Sequence, residues 1–320
     1  MITPKDPFGV PLRSRLEPFE ATRVEKPALI LGVDGGGTKC RARLYSSVGE
    51  LLGEGTAGPA NVRFGIEESF SAISDAARQC LSAAGLSWTE RSRIFACLAL
   101  AGASGPSERA NVKRHPHPYL RAIITTDAHA ACVGAHAGRD GGVIIAGTGA
   151  IGWAVIGGRQ YRCGGWGFPI SDEGSGAWLG CETIRRTLLA FDGRIGWSPL
   201  LDAVFDHFES DPHAIVRWLT HAKPRDFAGF APFVVQHGEA GDQVAAELMR
   251  LAASHIDGLA TRLIGLGAPR LALAGGLASK LEPWLASATR SWLVPPIGDA
   301  VDGAFRLARA EADVLSLLSG

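Results

Sequence analysis

Leu29-Ile30-Leu31-Gly32-Val33 is an apolar run that ends on a carboxylate, Asp34, and then breaks into Gly35-Gly36-Gly37-Thr38-Lys39. The next residues, Cys40-Arg41-Ala42-Arg43-Leu44-Tyr45, alternate apolar with polar at the period of two that marks a half-buried strand. The pattern predicts strand, tight turn, strand, with Leu51 to Thr56 as a third strand. Ile66, Phe70, Ile73, Ala77 and Leu81 recur at helical spacing and predict a helix from Ile66 to Ala84. Ile94 to Leu100 reads as a buried strand. Gly102 to Pro118 reads as a polar loop. Arg121 to Thr126 reads as a strand ending on Asp127, and Ala128 to Ala137 as a helix.

The second half repeats the opening. Val143-Ile144-Ile145-Ala146 is a short apolar strand that ends in Gly147-Thr148-Gly149. Ile151 to Ile156 and Gln160 to Cys163 are further strands, joined by Gly157-Gly158. Gly164 to Gly176 is a dense loop, and helices are predicted at roughly 177–191, 199–209, 212–221 and 241–266. Leu271 to Ala274 is a strand that ends in Gly275-Gly276, followed by helices at about 278–290 and 299–318. Strand, glycine turn, strand thus occurs twice, as a weak internal repeat. Two such halves facing each other set strand-end loops around one cleft, where α/β proteins place ligands.

At 320 residues the chain is long enough for two domains. The division predicted is an extension over 1–26, one domain over 27–137 and a second over 138–320, with the last helix able to pack on the first domain. A formal net charge of +0 argues against nucleic acid or an anionic membrane as partner. The longest apolar run, Ile94 to Ala101, is far short of a membrane span, and Met1 to Lys26 holds no apolar segment of the signal-peptide kind. The six cysteines form no C-x-x-C, which favours reduced thiols and a cytoplasmic setting.

The glycine turns are where chemistry is expected. Glycines let backbone approach a ligand closely and leave N–H groups to hold phosphate oxygens, and Asp34 at the strand end suits Mg²⁺ held through water. The plainer reading is an ordinary hairpin. Gly147 to Gly152 matches G-x-G-x-x-G, yet a strand follows where a dinucleotide fingerprint demands a helix, so a second phosphate hairpin fits better. Asp127 suits a general base aimed at a hydroxyl, and equally suits a helix N-cap. Asn61 is either a turn residue or a ligand group. Asp172-Glu173-Gly174-Ser175-Gly176 is either a capping segment or part of a sugar site. Gly275-Gly276 with Ser279 is either a strand-to-helix turn or a seat for adenosine.

Taken together these residues resemble the actin–hexokinase–Hsp70 superfamily of sugar kinases. Asp34-Gly35-Gly36-Gly37-Thr38 resembles its first phosphate motif, Ala146-Gly147-Thr148-Gly149 its second, and Leu273-Ala274-Gly275-Gly276 its adenosine motif. Within the superfamily the chain is similar to the BadF/BadG/BcrA/BcrD ATPase-type family. Thr126-Asp127-Ala128, Cys163-Gly164-Gly165-Trp166-Gly167 and Ser171 to Gly176 carry that likeness, which runs from Ala28 to the end. The resemblance implies two ribonuclease-H-like, actin-like ATPase domains facing across a cleft, and an ATP- and Mg²⁺-dependent amino-sugar kinase. It implies Asp127 as the base for the sugar 6-hydroxyl, with Asn61, Trp166, Gly167 and Asp172 lining the sugar. Gly36, Gly37, Thr38, Lys39, Thr148 and Gly149 would meet the phosphates, Asp34 the metal, and Gly229, Gly275, Gly276 and Ser279 the nucleotide.

The order of Phe168-Pro169-Ile170-Ser171-Asp172 resembles the bacterial glucosamine kinases, whereas Trp166-Gly167 resembles the N-acetylglucosamine kinases. Glucosamine is the substrate this favours, with N-acetylglucosamine as the alternative. A homodimer is compatible with the reading. The rival from another class is an ATPase activator of a radical dehydratase, whose iron–sulfur cluster needs paired cysteines that are not evident here. A non-catalytic sugar sensor is argued against by the intact set of Asp34, Asp127 and Thr148.

Overall fold

The computed structural model describes residues 29–63 and 65–318. The extension expected over 1–26 lies outside the described residues. The chain divides into two compact units. The first takes the chain up to Gly141, the segment Ala154–Tyr161 and the stretch from Pro295 onward; the second takes Gly142–Trp153 and Arg162–Val294.

The first sheet has the order β3-β2-β1-β4-β5. Its strands are β1 (Leu29–Gly35), β2 (Cys40–Ser46), β3 (Leu51–Ala57), β4 (Ile94–Leu100) and β5 (Arg121–Thr125). β1, β2 and β3 pair antiparallel, and β4 and β5 add parallel on the other side of β1. Alternation along β1 sends Leu29, Leu31 and Val33 into the core that contains the apolar stripe of α1 (Ile66–Ala83), including Phe70, Ile73 and Ala77. Ile30 points the other way, into the core shared with α12 (Ala300–Leu318) through Ala304 and Ala308 and with Ala130 of α3 (Asp127–Ala135). Gly32 lies on that second face because the α12 backbone crosses directly above it; a Cβ there would sit 2.9 Å from the Phe305 nitrogen.

The region expected as a polar loop, 102–118, contains α2 (Pro106–Arg114). Its signals are terminal: proline in the first turn with Glu108, and Lys113 and Arg114 in the last turn. It buries only Val112, so no apolar period marks it.

The second sheet has the order β8-β7-β6-β9. Its strands are β6 (Gly141–Ala146), β7 (Ala150–Ile156), β8 (Arg159–Gly164) and β9 (Leu271–Ala274), with β6 and β9 parallel. The helices between β8 and β9 are α4 (Gly176–Phe191), α5 (Pro199–His207), α6 (Pro212–Leu219), α7 (Pro224–Ala228), α8 (Ala231–Glu239) and α9 (Gln243–Gly265). α7 and α8 are not evident in the apolar pattern. The single helix expected at 278–290 is instead α10 (Ala278–Leu281), a 3₁₀ turn at Glu282–Trp284 and α11 (Ser287–Arg290), since Pro283 interrupts it. Among the described residues no helix is long and apolar enough to cross a membrane.

Candidate active site

In the first unit, the β1–β2 turn closes through Gly36 N–H donating to the Lys39 carbonyl at 3.0 Å. Gly37, Thr38 and Lys39 are exposed and open to a ligand. The Gly36 carbonyl accepts from Ala60 N–H at 3.0 Å, which draws the loop carrying Asn61 onto the turn. An added Cβ at Gly37 would lie 3.8 Å from Asn61 Nδ2. The Asn61 Oδ1 accepts from Arg63 N–H at 3.1 Å, so its amide nitrogen faces the turn while its oxygen orders the loop.

Asp34, the last side chain of β1 before the glycines, is engaged by a partner that sequence reasoning missed. Arg41 faces it across the hairpin and donates from Nη2 at 2.7 Å. The other arm of Arg41 donates to Asp299 at 2.9 Å, and Arg43 bridges Asp299 and Asp302 at the start of α12. The available signal was two arginines two apart on one strand and two aspartates three apart at a helix start.

Asp127 sits at the same end of the sheet. Asp34 is in register with Ala99 of β4, and Ala99 with Thr125 of β5, so the three form one row across the strand ends. Asp127 follows two residues beyond that row, two strand spacings or about 10 Å across from Asp34. The alternative role as N-cap falls to its neighbour: Thr126 is the N-cap of α3, its hydroxyl oxygen accepting from His129 N–H at 3.1 Å. Asp127 is the first helical residue and its Oδ1 accepts from Ala128 N–H at 2.9 Å. His129 lies two residues on, with Nδ1 2.7 Å from the Thr125 hydroxyl, and burial pushes its pKa down to about 4, so the ring is neutral at physiological pH.

In the second unit, the β6–β7 turn is docked by backbone on the start of α4. Gly176 N–H donates to the Gly147 carbonyl at 2.8 Å and Ala177 N–H to the Thr148 carbonyl at 3.1 Å, which satisfies helix N–H groups that have no intrahelical partner. The Thr148 side chain is left exposed. The turn after β9 leans on the same strand end. Gly275 takes φ +98, and its Cβ position is filled by the Ala146 backbone, so only glycine fits. Leu277 N–H donates to the Ala146 carbonyl at 3.0 Å, and Gly276 N lies 3.9 Å from where a Gly147 Cβ would stand. Gly276 and Ser279 are exposed. Gly229 caps α7, and the preceding Ala228 packs on Gly176, with the added-Cβ distance to Ala228 Cβ at 3.2 Å. The β6–β7 turn, Gly275-Gly276 and Gly229 therefore converge around the first turn of α4.

Asp172 joins that group. Its Oδ2 lies 2.7 Å from an added Cβ at Gly149, and its Oδ1 accepts from Gly167 N–H at 3.3 Å. Burial pushes its carboxyl above the ordinary value, against the Gly167 and Phe168 N–H groups that favour the charge. Trp166 is 62% exposed, and the Arg162 guanidinium lies 4.0 Å from its ring centroid. Arg162, too, went unread in the sequence.

Among the described residues no group of three or more His, Cys, Asp or Glu could hold a metal ion. Asp34 as a lone carboxylate fits Mg²⁺, which keeps several waters and binds through one or two carboxylates plus phosphate oxygens. The cysteines form no disulfide, and burial pushes the thiols of Cys40, Cys80 and Cys132 up to about 12. Such thiols are poor thiolate ligands.

The chain belongs to the BadF/BadG/BcrA/BcrD ATPase family, whose model matches residues 31–305. It is 40% identical over 278 residues to a Vibrio cholerae protein named glucosamine kinase GspK, covering 87% of this chain and 95% of that one. It is 32% identical over 170 residues to a Clostridium acetobutylicum protein named N-acetylmuramic acid/N-acetylglucosamine kinase, covering 52% of this chain and 55% of that one. A solved structure from Chromobacterium violaceum, named "Putative N-acetylglucosamine Kinase", matches with a TM-score of 0.84 at 34% identity, over 89% of this chain and 100% of that one.

Proposed function

We propose that this chain is an ATP-dependent amino-sugar kinase that transfers the γ-phosphoryl group of ATP to the 6-hydroxyl of glucosamine, giving glucosamine 6-phosphate and ADP. The observation that carries the reading is the row Asp34–Ala99–Thr125, which sets the first phosphate turn and Asp127 at one sheet end. The family match and the glucosamine kinase relative support it. The two-domain cleft and a cytoplasmic setting belong to the same proposal.

The chemistry assigned to the residues is in-line phosphoryl transfer, in which positioning and charge stabilisation outweigh covalent chemistry. Asp127 accepts the proton of the 6-hydroxyl as that oxygen bonds to the γ-phosphorus and the bond to the ADP oxygen breaks. Asn61, Trp166, Gly167 and Asp172 hold the sugar. Gly36, Gly37, Thr38, Lys39, Thr148 and Gly149 hold phosphate oxygens, and Gly229, Gly275, Gly276 and Ser279 border the adenosine. Mg²⁺, when bound, supplies neutralisation of phosphate charge, and Asp34 is the residue that would hold it through water.

Glucosamine is favoured because Asp172 places a carboxylate in the sugar loop, opposite in charge to a protonated 2-amino group. N-acetylglucosamine is the second reading, favoured by the exposed indole of Trp166, an apolar surface for an acetyl methyl, and by relatives named for that sugar. The test is kcat/KM for both sugars. A value for N-acetylglucosamine ten times that for glucosamine overturns the preference and leaves the kinase reading standing.

A further inference from the structure

We propose that Arg162 is the positioning residue of the sugar loop, clamping the Gly164–Gly167 turn and the Trp166 indole into the one arrangement that receives the sugar. The proposal rests on the sugar reading of that loop.

Gly164, Gly165 and Gly167 take φ of +68, +68 and +110. Three glycines in four residues make a turn that is free to adopt many other conformations, and ordering it costs more backbone entropy than any other residue type would. Nothing in the turn's own sequence selects one shape. Arg162, on β8 just before the turn, supplies the selection. Its Nε donates to the Gly164 carbonyl at 2.9 Å and its Nη2 donates to the Gly165 carbonyl. The same guanidinium lies 4.0 Å from the Trp166 ring centroid, so one planar group holds two successive carbonyls and a ring together. A guanidinium can do both at once, whereas an ammonium on a flexible stem cannot.

The clamp reaches Ser171 and Asp172 through the turn. Trp166 N–H donates to the Ser171 hydroxyl at 3.3 Å and Gly167 N–H to Asp172 at 3.3 Å, so the position of the turn fixes where the Asp172 carboxylate is held. Asp172 in turn packs against Gly149 of the phosphate hairpin. Trp166 stays 62% exposed, its ring open on the side away from the guanidinium and free to meet a ligand. A structural role alone would be met by any side chain that tied β8 to the turn.

The test is steady-state kinetics on the full chain with glucosamine and ATP, for Arg162→Lys and Arg162→Gln. Each should raise the sugar KM about tenfold, from loss of the stacking and of a charge-assisted hydrogen bond. The ATP KM and kcat should stay within about twofold of wild type, since the backbone bonds of the phosphate turns and of Asp127 are kept. On a Trp166→Ala background, Arg162→Lys should change the sugar KM far less than it does alone. A sugar KM within about twofold of wild type in both variants, or an effect of Arg162→Lys that is undiminished on the Trp166→Ala background, overturns the proposal, whatever the melting temperature does. Wild-type enzyme that uses no amino sugar at all sinks the functional reading instead, and the two failures are separate.

Discussion

Arg41 stands directly across the first hairpin from Asp34 and holds its carboxylate at 2.7 Å, while its other nitrogen reaches Asp299 at 2.9 Å. The carboxylate at the head of the β1–β2 turn is thus aimed by a strand neighbour that is itself anchored to the start of α12. Asp34→Asn should weaken use of Mg²⁺ and raise the Mg²⁺ concentration needed for half-maximal rate. The protein should stay folded, because Arg41 keeps Asp299 and a partly exposed ion pair contributes only ~0.2–1 kcal/mol. The melting temperature should therefore fall by less than about 4 °C. An unchanged Mg²⁺ requirement would assign Asp34 to the ion pair alone.

The cap of α3 and the candidate base are different residues, so they can be separated. Asp127→Asn should lower kcat by about 10²–10⁴, the range for a positioned acid–base group. Its sugar KM and melting temperature should change little, because Thr126 still caps the helix. Thr126→Ala should do the reverse, with a stability loss of ~1 kcal/mol and most of the chemistry retained. An Asp127→Asn enzyme that keeps more than half its kcat would move the search for the base to Asp172.

The two hairpins were legible in the sequence because each is a complete local unit: apolar strand, glycines, and a second strand, which alternates in the first hairpin. Their partners were not. Arg41 and Asp299 are 258 residues apart, and only the docking of α12 on β1 brings them together. The fold class followed from alternating strands and helices, yet α2 escaped because it buries a single residue, and α7 because five residues are too few to show a period. Asp127 stood out in the sequence, but whether it caps the helix depended on which of two adjacent residues enters the helix first, and that is set by backbone angles at Thr126.

Thr148 offers its hydroxyl to solvent while its carbonyl is held by α4. Thr148→Val keeps the backbone bond and nearly the volume. Loss of a hydrogen bond to a charged phosphate costs about 1.5–3 kcal/mol, so the ATP KM should rise or kcat fall by that equivalent, with sugar binding nearly intact. Unchanged ATP kinetics would make the hairpin a simple turn.

Asp172 should trade stability for function. Burial holds its folded-state pKa above the unfolded value. The stability it lends is full when both states are protonated and is lost as pH rises through the folded value. Asp172→Asn should therefore raise the melting temperature at neutral pH and leave it unchanged below about pH 3.9, while the sugar KM rises. A variant equally or less stable than wild type at neutral pH would contradict this.

The central claim is tested most directly by ADP release coupled to a spectrophotometric signal, with purified protein, ATP, Mg²⁺ and in turn glucosamine, N-acetylglucosamine, glucose and N-acetylmannosamine. The account predicts sugar-dependent ADP release, fastest with glucosamine, yielding the 6-phosphate and slowed about 10²–10⁴-fold in Asp127→Asn. ADP release that is independent of all four sugars, or that keeps more than half its rate in Asp127→Asn, would contradict it.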